Sequence, residues 1–525
     1  DVVKNERLYV NPSLLFNVSD KTQITLQGDY LSADWTPDFG TGAITTTLTS
    51  TIVDVPRSNF YGSLWSNGKT KSASASALVN HDFNKNWKLN FNSSFQTYDR
   101  TSKSTAQLAT VLPNGNWTRP LVQNKNLEQI VGDQLSLQGN FNTGSIKHQL
   151  FTGVDWENSF ATAYTFVFTP PNYDTINLYT FNPDTQRKDE PTARNTQIAK
   201  TDTNRFGAYF QDLISVTHQI KVLAGLRWSW QESEVTTYRE TLKSSIQTVA
   251  PENAIPTVGK KKLDNAFSPK LGLVYQPTKD MSLFASYSNS FTPNTGTTVN
   301  LEPIEPSIID QYEAGIKKDF WRGILSTNVT VYQITNSNLA QTAQFKADGS
   351  ANTDTTIKIL SGETKSKGIE VDVTARPLKG LSIIAGYSYN DMRYTDTSGL
   401  NGSFIEGDRV VRTPANTANL SFFYTLPTGF LKGVSLGAIG NYIGDRIGGW
   451  NDQYDSTKPD GIWHREIPLE GYTTVDVSAG YTWKKFSLLC KLSNITNELN
   501  YTVHENYSVN PIAPRQVLAS LKYKF

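Results

Sequence analysis

The sequence predicts an all-β chain, a single large antiparallel β-barrel whose strands cross a membrane. Three observations carry this. Apolar and polar residues alternate with period two through segment after segment. Many of these segments run about ten residues or longer, enough to cross a bilayer at a tilt near 45°, where soluble strands are typically about five or six. The connections alternate strictly between short and long, as in a transmembrane barrel with turns at one rim and loops at the other.

Composition agrees. Charged residues make up 18% of the 525 and hydrophobic ones 38%, and no run approaches the ~18 apolar residues of a membrane helix. Yet there are 24 Tyr, 25 Phe and 11 Trp. A barrel with one face to lipid and one to a wet lumen looks soluble on average while its rims need aromatics. The net charge of +1 gives no argument for nucleic acid. The single cysteine, Cys490, excludes an intrachain disulfide and shares a face with Phe486 and Leu488, as a small lipid-facing residue would. The chain starts at Asp1 without a signal peptide, as a mature or truncated secreted protein would.

About nineteen strands follow in order. The first nine are expected near 7–17, 22–34, 71–82, 87–99, 133–142, 146–159, 203–216, 219–232 and 264–276. The rest are expected near 281–291, 309–319, 323–335, 356–376, 380–391, 414–425, 434–445, 471–483, 485–494 and 515–525. In the eighth, Val222, Ala224, Leu226, Trp228 and Trp230 form one face. In the third from last, Val475, Val477, Ala479, Tyr481 and Trp483 alternate with Thr474, Asp476, Ser478, Gly480 and Thr482. Short connections include Ser19-Asp20-Lys21, Asn84-Lys85-Asn86, Thr143-Gly144-Ser145 and Lys484. Long Gly/Asn/Thr/Pro-rich ones occupy 35–70, 100–132, 160–202, 233–263, 292–308, 336–355, 392–413, 446–470 and 495–514. The last strand, ending at Phe525, runs toward the short-turn rim, and counting back the first strand does too. A closed even-stranded barrel then requires an odd number of strands before Asp1.

Several blocks occur in a definite order. They include Arg7 to Leu14 with Thr22–Tyr30, Tyr209-Phe210-Gln211-Asp212 with Gly225-Leu226-Arg227, and Ser268-Pro269-Lys270 with Ser286 to Pro293. Then come Gln311 to Lys317, Ser366 to Glu370, Arg412-Thr413-Pro414, Asn494 to Tyr501, and Pro514-Arg515 to the terminal Phe525. This set resembles the barrel of TonB-dependent ferric-siderophore receptors. The resemblance spans nearly the whole chain and marks fold, not substrate. It implies about 22 strands in the intact family, short periplasmic turns, long extracellular loops, and a bacterial outer-membrane location. Residues 1–525 then form one N-terminally incomplete barrel domain, with the family's plug domain and TonB-contacting segment not found in the chain.

The resemblance further implies binding and import of a ferric siderophore. Energy would come from the TonB–ExbB–ExbD complex, acting through the missing N-terminal region. The metal would arrive as an iron(III)–siderophore chelate, with no resident cofactor, and the other partners would be outer-membrane lipid and lipopolysaccharide. A receptor for haem, cobalamin or a saccharide, a passive porin or a surface receptor are the alternatives. A soluble β-rich enzyme or adhesin is a third class. No catalytic constellation is read. The five histidines are scattered, and of them His464 and His504 fall in expected outer loops.

A chelate site needs concave walls of aromatic and amphipathic side chains. Trp35 and Tyr98 have lumen-facing parity at the upper ends of their strands, while Trp117, Tyr164, Phe166, Trp450 and Trp463 lie in or near long loops. These seven are the ligand-binding candidates, against loop packing as the default role. Trp228, Trp230, Tyr287, Phe291, Tyr481 and Trp483 have lipid-face parity and read as interfacial belt. The charge runs Lys260-Lys261-Lys262 and Arg187-Lys188-Asp189-Glu190 read as loop surface, and Asp29 and Asp155 as lumen lining.

Overall fold

The computed structural model describes residues 2–45, 50–106, 110–244, 247–343, 346–348, 350, 352, 354, 356–360, 362–502 and 508–524. It is built almost entirely of strands, which make up 68% of it. The main sheet holds 22 strands. Two of these, Asn172–Asn177 and Thr257–Val258, lie in loops, and Asn5–Val10 with Ser13–Ser19 are halves of one interrupted strand, which leaves nineteen passes among the described residues. Pro12 accounts for the interruption, since it has no N–H to give a ladder. Its carbonyl instead accepts from the Gly28 N–H at 3.1 Å.

By contact the chain divides into two units, one of Asp1–Gly40, Asp54–Val216 and Val222–Leu271, the other of Thr41–Val53, Thr217–Lys221 and Gly272–Phe525. Within the first, β1 is the interrupted strand, β2 is Thr22–Trp35, β3 Asn67–Asn84, β4 Trp87–Thr105, β5 Asn116–Thr143, β6 Ile146–Phe168 and β7 Ala193–Ser215. Neighbours pair antiparallel, so register assigns each side chain to a face. Asp29 stands opposite Ser74, Ser74 opposite Gln96, and Gln134 opposite Asp155. This is the polar face. The Ser74 hydroxyl donates to Asp29 at 2.7 Å, and Arg227 clasps Asp155 through two bonds of 2.8 Å. On the other face lie Phe91, Phe95, Val131, Leu135, Val154, Trp156 and Phe210, all large, apolar and exposed. A protein surrounded by water does not leave so continuous an apolar surface uncovered, whereas lipid requires it.

β8 (Ile220–Arg239) and β9 (Lys262–Thr278) follow, and β10 to β19 continue the pattern. These are Met281–Thr292, Ser307–Phe320, Leu325–Ser337, Glu363–Ala375, Leu381–Asp396, Asn416–Thr425, Val434–Ile443, Tyr472–Trp483, Phe486–Ser493 and Gln516–Tyr523. Tyr481, Leu488 and Leu521 are successive partners on one face of the last three, with Ala479, Cys490 and Ala519 beside them. On the reverse face Lys491 pairs with Asp476 at 2.6 Å. The tight connections after β5 and β17 turn on left-handed residues, Gly144 at φ 62° and Lys484 at φ 53°.

The strands outrun their expected limits on the loop side. β5 begins at Asn116 rather than near 133, β6 continues to Phe168, and β7 begins at Ala193. Beyond the bilayer a ladder can continue with polar residues on both faces, so periodicity fades while hydrogen bonding does not. β13 shows the reverse. It begins at Glu363 because Lys358–Leu360 pairs separately with Ala340–Thr342. The terminal Phe525, to which the last strand was expected to run, lies outside the described residues.

Candidate ligand-binding site

In the first unit, Trp35 ends β2 on the polar face. Its indole N–H donates to Thr70 Oγ1 at 3.2 Å, and the Arg100 guanidinium lies 4.8 Å from its ring. The ring covers Gly68, its ladder partner, where a Cβ would collide with the indole. Tyr98 stands on the same face of β4, between Ser72 and Glu128. Trp35 and Tyr98 thus take the polar-face positions their spacing predicts, beside Arg100.

The other three aromatics of this unit are placed differently. Trp117 is 4% exposed, opposite Ile176 in the ladder, and packs into a loop core instead of presenting an open surface. Tyr164 and Phe166 belong to β6, and Tyr164 has the parity of Val154 and Trp156, opposite Asp155 and Glu157. Their rings stack at 6.4 Å and Lys125 lies 4.5 Å from Tyr164. They are strand residues rather than loop residues because the β5–β6 ladder reaches Thr165 and the β6–β7 ladder reaches Phe168.

The core that buries Trp117 is organised by Arg119, which is 0% exposed. It makes two 2.6 Å bonds to Asp174 and donates to the carbonyls of Tyr61 and Gly62 and to Gln186. The nearby charge run is likewise paired, Arg187 with Asp189 and Glu190 with Lys103. No spacing rule picks out Arg119, since its partners come from distant loops.

In the second unit, Trp450 and Trp463 meet around one side chain. The Arg465 guanidinium lies 5.3 Å from the Trp450 ring and 4.6 Å from that of Trp463. Arg465 also donates to Gln453 at 2.6 Å, and Lys458 approaches Trp463 at 5.9 Å. Trp463 is 42% exposed, so this cluster, unlike Trp117, offers aromatic surface. A cation between two indole faces is stabilised by their quadrupoles.

Acidic groups surround it. Asp452 Oδ1 accepts the backbone N–H groups of Arg465 and Glu466, and Oδ2 meets His464 Nδ1 at 2.8 Å. His464 Nε2 meets Asp460 at 2.8 Å. The bond to Asp460, with Asp452 adding to it, holds the imidazole above its usual pKa against burial. Glu466 is pushed up to about 7 by burial and then by the charges of Asp452 and Asp408. Buried Asn451 donates to the Arg409 carbonyl and accepts from Tyr394 and the Val411 N–H, tying this loop to 390–412. Arg446 anchors its base, donating to Glu470 O at 2.9 Å and to Asn500 and Tyr501 at 2.5 Å each.

No group of three or more His, Cys, Asp or Glu able to hold a metal occurs among the described residues. His464 is engaged by two carboxylates, and His504 lies outside the described residues.

Comparison with known proteins bears on the family and the fold. A family model described as TonB dependent receptor-like, beta-barrel, matches residues 10–496. The metal-pseudopaline receptor of Pseudomonas aeruginosa is 25% identical over 530 residues, covering all of this chain and 69% of the relative. The ferrioxamine B receptor of Salmonella typhimurium is 27% identical over 361 residues, 67% of this chain and 43% of the relative. In structure, the Escherichia coli ferric-catecholate import receptor Fiu matches with TM-score 0.80 at 20% identity, covering 100% of this chain and 75% of that one. The Acinetobacter baumannii siderophore receptor PiuA matches at 0.79, again at 20% identity, with coverage of 100% and 75%. The fold is therefore a large antiparallel transmembrane β-barrel.

Proposed function

The chain belongs to the TonB-dependent receptor-like β-barrel family of the bacterial outer membrane, and we propose that it is the barrel of an active importer of ferric siderophores. The observation that carries the substrate class is the Trp450–Arg465–Trp463 cluster in the outer loops. It pairs aromatic surface with a cation, which suits a metal already wrapped in an organic chelator. The similar receptors named above take metal–pseudopaline, ferrioxamine B or ferric catecholate, all chelated metals, which supports the same class.

In this reading the chelate is held in the second unit by the outer loops, with Trp450, Trp463 and Arg465 as contacts, while Trp35, Tyr98 and Arg100 are polar-face candidates of the first unit. Passage follows along the polar face, where paired charges such as Asp155–Arg227 and Asp476–Lys491 keep the wall hydrated. The chelator supplies the metal's ligands in this reading, and import makes or breaks no covalent bond. The driving force comes from the TonB complex through a plug and N-terminal segment, which the barrel itself does not provide.

Growth of a deletion strain and its parent on a panel of ferric chelates as sole iron source tests this. The deletion strain is expected to fail on at least one chelate that feeds the parent, with the defect reversed by the full-length gene and not by one lacking its TonB-contacting segment. Equal growth on every chelate would remove the iron assignment. Rescue without the TonB segment would leave a passive channel.

A further inference from the structure

In the second unit, Trp463 and Arg465 ride on a hairpin with little backbone to hold it. Its two strands, Gln453–Tyr454 and Ile462–Trp463, share two ladder pairs, and a two-stranded ribbon is marginal by itself in water. Side chains hold it closed. Asp452, at the open end, accepts the backbone N–H of Arg465 on Oδ1 at 2.6 Å and meets His464 Nδ1 with Oδ2 at 2.8 Å. His464 Nε2 meets Asp460 Oδ2 at 2.8 Å, and Asp460 Oδ1 accepts the N–H of Ile462 at 3.1 Å beside the turn. A chain of carboxylate, imidazole and carboxylate thus runs from the base of the hairpin to its turn, and its middle member lies between Trp463 and Arg465 in sequence.

Only the imidazolium carries an N–H on both ring nitrogens. A neutral ring donates to one carboxylate and turns a lone pair toward the other. Two contacts of 2.8 Å are therefore the geometry of charged His464. Other charges bear on this chain. On the same hairpin, Arg465 and Lys458 approach Trp463, and Glu466 faces Asp452. From the 390–412 loop, Asp408 faces Asp452 and His464, with Arg393 beside it. The bond to Asp460 and then the bond to Asp452 raise the imidazole pKa against burial. The chain is complete in acid and breaks as pH rises through the folded value.

We propose that Asp452, His464 and Asp460 form a proton-operated latch that positions Trp463 and Arg465, so that the loop holds its ligand more tightly when His464 is charged. A hairpin fixed in its binding geometry loses no affinity to reordering, whereas a released one binds in proportion to the time it spends closed. The ligand half rests on the siderophore reading. The latch itself is read with no ligand present.

Hydrogen exchange of the full-length receptor, resolved to single amides and corrected for intrinsic rates, reads both ends of the latch. The N–H groups of Arg465 and Ile462 are expected to exchange roughly fivefold faster at about pH 8 than at about pH 5.5, the effect of one charge-assisted hydrogen bond discounted for exposure. His464→Gln, which does not titrate, is expected to flatten both, and Glu466→Gln to leave both slopes in place. The ferric chelates that feed the parent strain, with ferrioxamine B included as a probe, are titrated in parallel. Over the same range the affinity of the unmutated receptor is expected to fall roughly fivefold relative to His464→Gln, a ratio that cancels titration of the chelate. A residue with a merely structural role would lower affinity equally at every pH. Flat exchange in the unmutated receptor, or a slope that survives His464→Gln or vanishes in Glu466→Gln, overturns the latch. Sloping exchange with a constant affinity ratio overturns its control of binding. Binding of no chelate at all removes the siderophore reading and the ligand half with it, while exchange still decides the latch.

Discussion

Arg119 and Arg446 are both buried in loop regions, one in each unit, and they are satisfied in different ways. Arg119 clasps a carboxylate, Asp174, through two short bonds and spends its remaining donors on two carbonyls and a glutamine. Arg446 donates to the neutral oxygens of Glu470, Asn500 and Tyr501, and burial lowers its pKa. The first arrangement neutralises the charge it buries and locks segments around 61, 119, 174 and 186 together. The second leaves a net charge inside and ties fewer segments. The looser region is the one that carries the exposed Trp463, the half-buried Arg465 and the perturbed acids. Binding loops are drawn from the less stable part of a structure, and in the proposed reading the looser region is the one that meets the chelate.

The widest gap should come from removing the two cations. Arg119→Leu strands Asp174, whose side chain is 23% exposed, together with two carbonyls. The expected loss is about 3–5 kcal/mol of local stability, seen as collapse of hydrogen-exchange protection at 116–120 and 172–177 while the barrel ladders stay protected. Arg446→Leu leaves neutral acceptors, and about 1–3 kcal/mol is expected, with exchange rising at 469–472 and 500–502. Equal losses in the two variants would break the distinction between charged and neutral pairing.

Acid should sharpen the contrast. The folded pKa of Glu466 is raised to about 7 from 4.5, so the folded loop holds a proton that the unfolded loop has already released. Its contribution is full below about 4.5 and is lost as pH rises toward 7. His464, also raised, adds in the same direction, losing its contribution as pH rises through its folded pKa. Protection at 446–449 and 466–469, corrected for intrinsic exchange, should fall between pH 5 and 8 by on the order of 2 kcal/mol. The Arg119 region should stay flat, and Glu466→Gln should remove most of the slope. A flat profile in the unmutated chain would mean that Glu466 is solvated.

The smallest effect concerns binding. Trp450→Ala and Trp463→Ala should each weaken chelate affinity about tenfold, near 1.4 kcal/mol, by fluorescence titration. Trp117→Phe, inside the locked core, should leave affinity unchanged. If Trp117→Phe weakens binding as much as Trp463→Ala, the assignment of ligand contact to the looser region fails.

The strand pattern was readable because lipid imposes it residue by residue. Tyr481, Trp483 and Cys490 sit on the apolar face their spacing predicts, and Asp155 on the polar one. The upper ends of β5, β6 and β7 were not readable, since above the bilayer the ladder persists without an apolar face to reveal it. For the same reason Tyr164 and Phe166 proved to be strand residues with Tyr164 on the far face, while Trp35 and Tyr98, just inside the periodic zone, took the expected side. Trp450 and Trp463 were named as separate loop aromatics, with nothing in their spacing to predict Arg465 between them.

Period-two alternation and the parity of short and long connections, by themselves, determined a membrane-crossing antiparallel barrel, its polar and apolar faces, and the rim on which the loops lie. Both follow from local rules, because every second side chain of a strand meets the same surroundings. The tertiary structure alone decided that Arg119 is buried against Asp174, that Arg465 lies between two indoles, and that Asp212 is buried against His148. Each of these joins residues far apart in the chain, where the deciding quantity is the cost of burying a charge, and no local period encodes it.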